Sequence, residues 1–212
     1  MKKPSADERT VPAREGSAEV RERASRFLAF ACPVSDPDEA ADLVARLRKK
    51  YHDATHVAFA WSVGSGDTAA RRSSDAGEPS GTAGKPIAAA IESAGFSDVL
   101  VAVVRYFGGT KLGTGGLSRA YREAAGKAIA AAGTRIIRET SLVVVMCPYD
   151  RIGAVRRLVR PPQVTLAGES FEASPTVRLE VVRSALPSLR AALEEARLSY
   201  EVAGTPCHSE ER

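Results

Sequence analysis

Long apolar runs are missing from this chain. No stretch approaches the roughly 18 consecutive apolar residues that a membrane-spanning helix needs, so no membrane span is expected. Cysteine is scarce: Cys32, Cys147 and Cys207 form an odd, widely spaced set with no CxxC pair. That excludes a secreted disulfide framework and points to reduced thiols in the cytoplasm. The opening MKKPSADERTVPAREGSAEVRERA carries two lysines with no apolar segment behind them, unlike a secretory signal. Histidine is equally sparse. His52 and His56 lie four apart, a spacing that can hold a metal on a helix. Asp53 lies between them, but Ala54-Thr55 sits where a helix should yield to a strand, and no Cys or further His lies near. No metal and no cofactor are expected. Neither is an enzyme, because no local nucleophile–base pair can be read.

What the chain does contain is ordinary globular material. It has 212 residues, 44% of them hydrophobic, enough for one large domain or two small ones. Aromatics are only 6% and the net charge is +4, a mildly basic balance that permits contact with nucleic acid without demanding it.

The pattern along the chain alternates strands and helices. Residues 1–17 are polar and rich in charge and are expected to be a mobile tail. FLAFACPV (27–34) reads as a strand. In DPDEAADLVARLRKKYH (36–52), Asp36 is placed to cap a helix, Pro37 suits its first turn, and Arg48, Lys49 and Lys50 crowd its last. THVAFAWSV (55–63) reads as a strand and 64–81 as a polar, turn-rich segment. A helix follows over 84–95, then DVLVAVVRYF (98–107), whose unbroken apolar run suits a strand buried on both faces. The glycine loop GGTKLGTGG (108–116) leads into an Ala-rich helix ending at Gly133. From 138 onward the order reads βαββα, with strands at 138–149 and within 163–183 and helices at 150–160 and 184–197. The fold class is therefore α+β in two domains, 18–134 and 135–204, followed by a tail over 205–212.

The segment SDAGEPSGTAGKP (74–86) has almost no side chains able to fill a core. It could be a linker, a phosphate-binding loop, or a place where backbone meets backbone. It is not a Walker A loop: Pro86 follows Gly84-Lys85 where Ser or Thr is needed, and Pro79 stands where the first glycine should be. Nor is GTGG at 113–116 a dinucleotide fingerprint, since no acidic residue closes a following strand. Two glycine-rich segments nonetheless each run into a helix. Gly81, Gly84, Gly108, Gly109, Gly113, Gly115 and Gly116 would let a phosphate or another backbone approach. Lys85, Arg105, Lys111 and Arg119, with Tyr106 and Phe107 interleaved, suit a nucleic-acid backbone and its bases. The alternative is plain: Phe107 in the core, Gly108 and Gly109 in a turn, and solvated charges.

SDAGEPSGTAGKP, followed by VAVVRYFGGTKLGTGGLSRAY, resembles the IMPACT/YigZ family. Ser25-Arg26-Phe27 and Ala54-Thr55-His56 match further family motifs. One departure is Ala76, where the family usually has a second Asp. The resemblance implies an N-terminal ribosomal protein S5 domain 2-like domain and a C-terminal ferredoxin-like domain, similar to domains IV and V of the elongation factor EF-G. It also implies association with RNA or the ribosome. Eukaryotic relatives are translational regulators that compete for a scaffold protein and carry an additional N-terminal domain, for which the tail over 1–17 is expected to be too short. The leading expectation is thus a non-enzymatic RNA- or ribosome-binding protein acting through a glycine-lined basic patch, with Asp75, Glu78 and His56 holding the patch in shape. The rivals are a module that occupies a protein scaffold and an enzyme acting on a phosphorylated or nucleotide substrate.

Overall fold

The computed structural model describes residues 7–64, 69–171, 174–203 and 207–209. It divides into two units, Thr10–Arg135 and a second in which the N-terminal residues through Arg9 join Ile136–Arg212. Strand β1 (Glu8–Pro12) begins the described chain.

In the first unit, β2 (Gly16–Glu22) and β3 (Ser25–Pro33) form a hairpin, followed by α1 (Pro37–Lys50). Then come β4 (His56–Val63), β5 (Ala70–Ser74), α2 (Gly84–Ala94), β6 (Val99–Tyr106) and α3 (Gly113–Ala132). The sheet order is β2-β3-β6-β4-β5, with antiparallel neighbours throughout. Helix α1 starts as its sequence predicts: the Asp36 carboxylate accepts from Glu39 N at 2.7 Å, while the Glu39 carboxylate accepts from the N–H and hydroxyl of Ser35.

Strand periodicity divides the core in two. Phe27, Ala29, Ala31, Ala58, Ala60, Val99, Val101 and Val103 face α2 and α3. The alternate residues Phe59, Trp61, Leu100 and Ala102 face α1. The alanines of α3 (Ala120, Ala124, Ala128, Ala132) are buried, which lets a long helix lie close on the sheet.

The second unit contains β7 (Thr134–Met146), α4 (Ile152–Arg156), β8 (Val164–Ser170), β9 (Thr176–Val182), α5 (Leu186–Glu195), β10 (Ser199–Ala203) and β11 (Cys207–Ser209). Its sheet runs β1-β7-β9-β8, and β10 and β11 also pair with β7. Ile152 and Val155 of α4 and Leu189 and Leu193 of α5 share one core with Val143, Val145, Val177 and Leu179. Among the described residues, no helix is long and apolar enough to cross a membrane.

Several expectations change. The tail over 1–17 is corrected: residues 1–6 lie outside those described, but Glu8–Pro12 and the start of β2 are strands. The polar stretch 64–81 hides β5, and the tail over 205–212 hides β11, whose neighbours 204–206 and 210–212 lie outside the described residues. Strand β10 adds an element to the expected βαββα order. The helix over 150–160 shrinks to a 3-10 turn and α4, because Arg160, which precedes Pro161 and is disfavoured in helical backbone, instead bridges Val164.

Asp7 shows why the N-terminus is no tail: its carboxylate accepts from Ser184 N at 2.7 Å and from the Ser184 hydroxyl at 2.6 Å, and its carbonyl accepts from Glu139 N. Asp7→Ala should therefore lower the urea stability of this unit by about 1 kcal/mol. A mobile tail would give a change within about 0.5 kcal/mol.

Candidate functional site: a buried charge network at one end of the sheet

The strand registers collect the motif residues. Arg26 pairs with Tyr106, His56 with Arg105, and Phe59 with Ser74, so the end of β6, the starts of β3 and β4 and the end of β5 lie at one end of the sheet. The loop 75–83 leaves from β5 there, the glycine turn 107–112 leaves from β6, and each leads into a helix.

At the centre lies an ion pair. Arg105 Nη1 donates to both Glu78 oxygens, at 2.7 and 2.9 Å, and Tyr121 OH donates to Glu78 Oε1 at 2.7 Å. Both charged residues are buried, Arg105 at 5% exposure and Glu78 at 8%. The guanidinium sits 5.5 Å from the ring centroids of Phe27 and of Phe107, and its Nη2 donates to Ser25 Oγ at 3.3 Å. Burial, and then the hydrogen bond to Glu78, push the Tyr121 hydroxyl far above its ordinary range, so it remains a donor. His56 Nδ1 lies 2.9 Å from the Ala76 carbonyl, which can only accept, so Nδ1 carries the proton. Its Nε2 faces Glu78 Oε2 at 3.9 Å.

Asp75 organises the loop. Its carboxylate accepts from Gly81 N, Ala83 N and Gly84 N at 2.8, 2.9 and 2.8 Å. Burial raises its pKa, but these three N–H bonds outweigh that and hold it below the ordinary 3.8. The phosphate-loop expectation for Gly81 and Gly84 is therefore corrected: an internal carboxylate already occupies those N–H groups. Gly84 is instead a packing glycine, because a Cβ there would lie 2.9 Å from the Ser74 backbone. Backbone meets backbone in this segment. Ala76, where the resemblance expects an Asp, takes φ +49°, a left-handed conformation that Asp tolerates better than Ala. Asp75 alone does the capping here.

The remaining expected residues separate into two groups. Lys85, Lys111 and Arg119 are exposed, as are Gly109, Gly113 and Gly115, with Gly116 half-buried. The exposed turn is tied down from β2–β3: Arg23 Nη1 donates to the Lys111 carbonyl at 3.2 Å, and a Cβ on Gly108 would collide with the Ala24 carbonyl. Arg105 does not join the surface charge, because Glu78 takes it up inside. Tyr106 is half-buried and its hydroxyl donates to Asp53 at 2.9 Å. Phe107 is not core: it is 45% exposed. Ser25 and Tyr121 belong to the network but were absent from the expected site, although both lie within motifs quoted for the resemblance.

Three outcomes follow from this chemistry. Glu78→Gln, which leaves a buried guanidinium without a counter-charge, should cost about 3–5 kcal/mol in urea unfolding. Tyr121→Phe, which removes one donor and keeps the ion pair, should cost about 1–2 kcal/mol. Asp75 has a depressed folded-state pKa, so its stabilisation is present above pH 3.8 and is lost as pH falls through its lower folded value. Acid unfolding followed by circular dichroism should have a shallower limb in Asp75→Asn than in the parent.

The Impact N-terminal domain profile matches residues 23–129. Over 136 residues the chain is 43% identical to the Thermus thermophilus "IMPACT family member in pol 5′region", covering 64% of this chain and 72% of that protein. It is 30% identical over 192 residues to the Escherichia coli "IMPACT family member YigZ", covering 89% and 91%. A crystal structure described only as a hypothetical protein shares the fold, with a TM-score of 0.64 at 24% identity over 94% of this chain and 99% of that one. With its motif residues gathered at one end of the first sheet, the chain belongs to the IMPACT family.

Proposed function

We propose that this protein binds RNA, ribosomal RNA included, through the exposed rim around the buried Glu78–Arg105 pair, and that it serves translation in the cytoplasm without catalysing a reaction. The observation that carries the proposal is the separation of charge at this end of the sheet. Arg105 is neutralised internally by Glu78, while Lys85 and Arg119, on the helices that follow the two motif loops, and Lys111, in the glycine turn with the half-exposed Phe107, stay exposed. Cations supply phosphate contacts, and the ring offers a stacking face for an unpaired base. The rigid interior holds these groups in place without using up their charge. The translational setting is what the family resemblance implies.

We also read the strand order β10-β7-β9-β8, with α4 and α5 on one face, as ferredoxin-like, and the first unit as related to ribosomal protein S5 domain 2.

The test is binding to single-stranded RNA and to purified ribosomes at several salt concentrations. Lys85→Glu with Lys111→Glu should weaken both, and the salt slope should shrink by about 0.7 unit per lost phosphate contact on a single strand. Circular dichroism should be unchanged, because exposed substitutions usually alter stability by less than about 0.5 kcal/mol. Unchanged affinity and slope in the folded double variant would overturn the RNA reading in favour of a protein scaffold.

A further inference from the structure

The opposite face of the first sheet carries a second feature. Helix α1 packs on β4 and β6, and a groove of about 300 Å³ remains between α1 and the edge strand β5. Its floor is Phe59 and Trp61. The register pairs Phe59 with Ser74 and Trp61 with Arg72, which puts Ser74 and Arg72 on the same face as those rings. Asp38 and Arg48 line the groove from α1, and the Arg48 guanidinium carbon lies 5.9 Å from the Phe59 ring centroid.

The charge here is available. Arg26, Arg105, Arg156 and Arg183 each pair with a carboxylate within 3.0 Å. Among the described residues, neither Arg48 nor Arg72 pairs with one, and both are exposed. Two guanidiniums at an aromatic floor suit a ligand that has both a planar apolar part and an anionic phosphate group. Asp38 supplies an acceptor for a base amino group or a ribose hydroxyl. The volume lies at the lower limit of small-ligand pockets, about 300–1,000 Å³, and suits one nucleotide unit. An acidic peptide fits less well, because it has no ring for the floor.

We infer that the groove between α1 and β5 binds a nucleoside phosphate. This site lies on the sheet face opposite α2 and α3 and stands independently of the RNA-binding rim.

Trp61 is the chain's single tryptophan, so its fluorescence reports on the groove alone. Full-length protein is titrated with AMP, adenosine, a short oligoadenylate and hexaglutamate. AMP is expected to change the emission saturably, and adenosine to act at least roughly tenfold more weakly, since a charge-assisted contact is worth that factor or more. Saturation by AMP assigns the source as a free nucleotide. Saturation by the oligoadenylate with no response to AMP assigns it as a nucleotide within an RNA strand, and either result supports the site. Arg48→Gln with Arg72→Gln is expected to weaken the response roughly tenfold or more. Near-ultraviolet circular dichroism checks the fold, and Arg72→Gln alone, on the exposed edge strand, serves if the double variant does not fold. No saturable response to AMP or the oligoadenylate would overturn the inference. So would equal response to adenosine, an unchanged response in the folded variant, or equal saturation by hexaglutamate, which would identify an acidic peptide site.

Discussion

The ion pair between Glu78 and Arg105 is the constraint on which this end of the molecule depends. Desolvating two opposite charges is costly, and the cost is offset only where geometry and further hydrogen bonds are good. Here one carboxylate receives Arg105 Nη1 on both oxygens and Tyr121 OH on one, and the guanidinium lies against two aromatic rings. The pair joins three elements: the loop 75–83 through Glu78, the end of β6 through Arg105, and α3 through Tyr121. A segment made almost entirely of small residues has no apolar side chains to anchor it. A buried charge does that work instead.

Order spreads outward from that anchor. Once Glu78 is fixed, Asp75 lies where its carboxylate can gather the N–H groups of Gly81, Ala83 and Gly84, which closes the loop and caps α2 from outside the helix. His56 ties the Ala76 carbonyl to β4, and Gly84 lets the loop lie on the backbone of Ser74. On the other side, Ser25 accepts from Arg105 and from Gly108 N, at 3.3 and 3.4 Å, so one serine joins the glycine turn to the buried arginine. The anion that two glycine-rich helix starts invite is, at α2, supplied by the protein itself. The surface is left with cations and one exposed ring.

The five-stranded sheet thus presents two faces with different chemistry. One carries α2 and α3, close-packed through alanines, with the motif loops at its end. The other carries α1 alone, and a single helix does not cover five strands. Strand β5 extends past α1 and leaves Trp61 and Phe59 at the bottom of a groove whose arginines have no internal partner among the described residues.

Local signals in the sequence determined a good part of this protein. Asp36, Pro37 and the Arg48–Lys50 run bounded α1, the apolar run 99–104 made the central strand, and the quoted motifs placed the chain in its family. These signals act within one turn or one strand, where propensity and capping suffice. Tertiary structure decided the rest. Strand β5 reads ARRSS, with no apolar alternation, and exists because β4 offers it a ladder. Arg105 reads two ways, as a surface cation and as the structural partner of Asp75 or Glu78, and only the fold selects Glu78, 27 residues earlier, and buries the pair. Gly81 and Gly84 read as open to a phosphate until Asp75, six and nine residues away, claims their N–H groups. Phe107 reads either as an exposed ring or as core, and it is exposed because the sheet ends at Tyr106 and the turn beyond is held at Gly108 by Ala24. In each case, near or far along the chain, residue type does not reveal which groups will meet once the chain has folded.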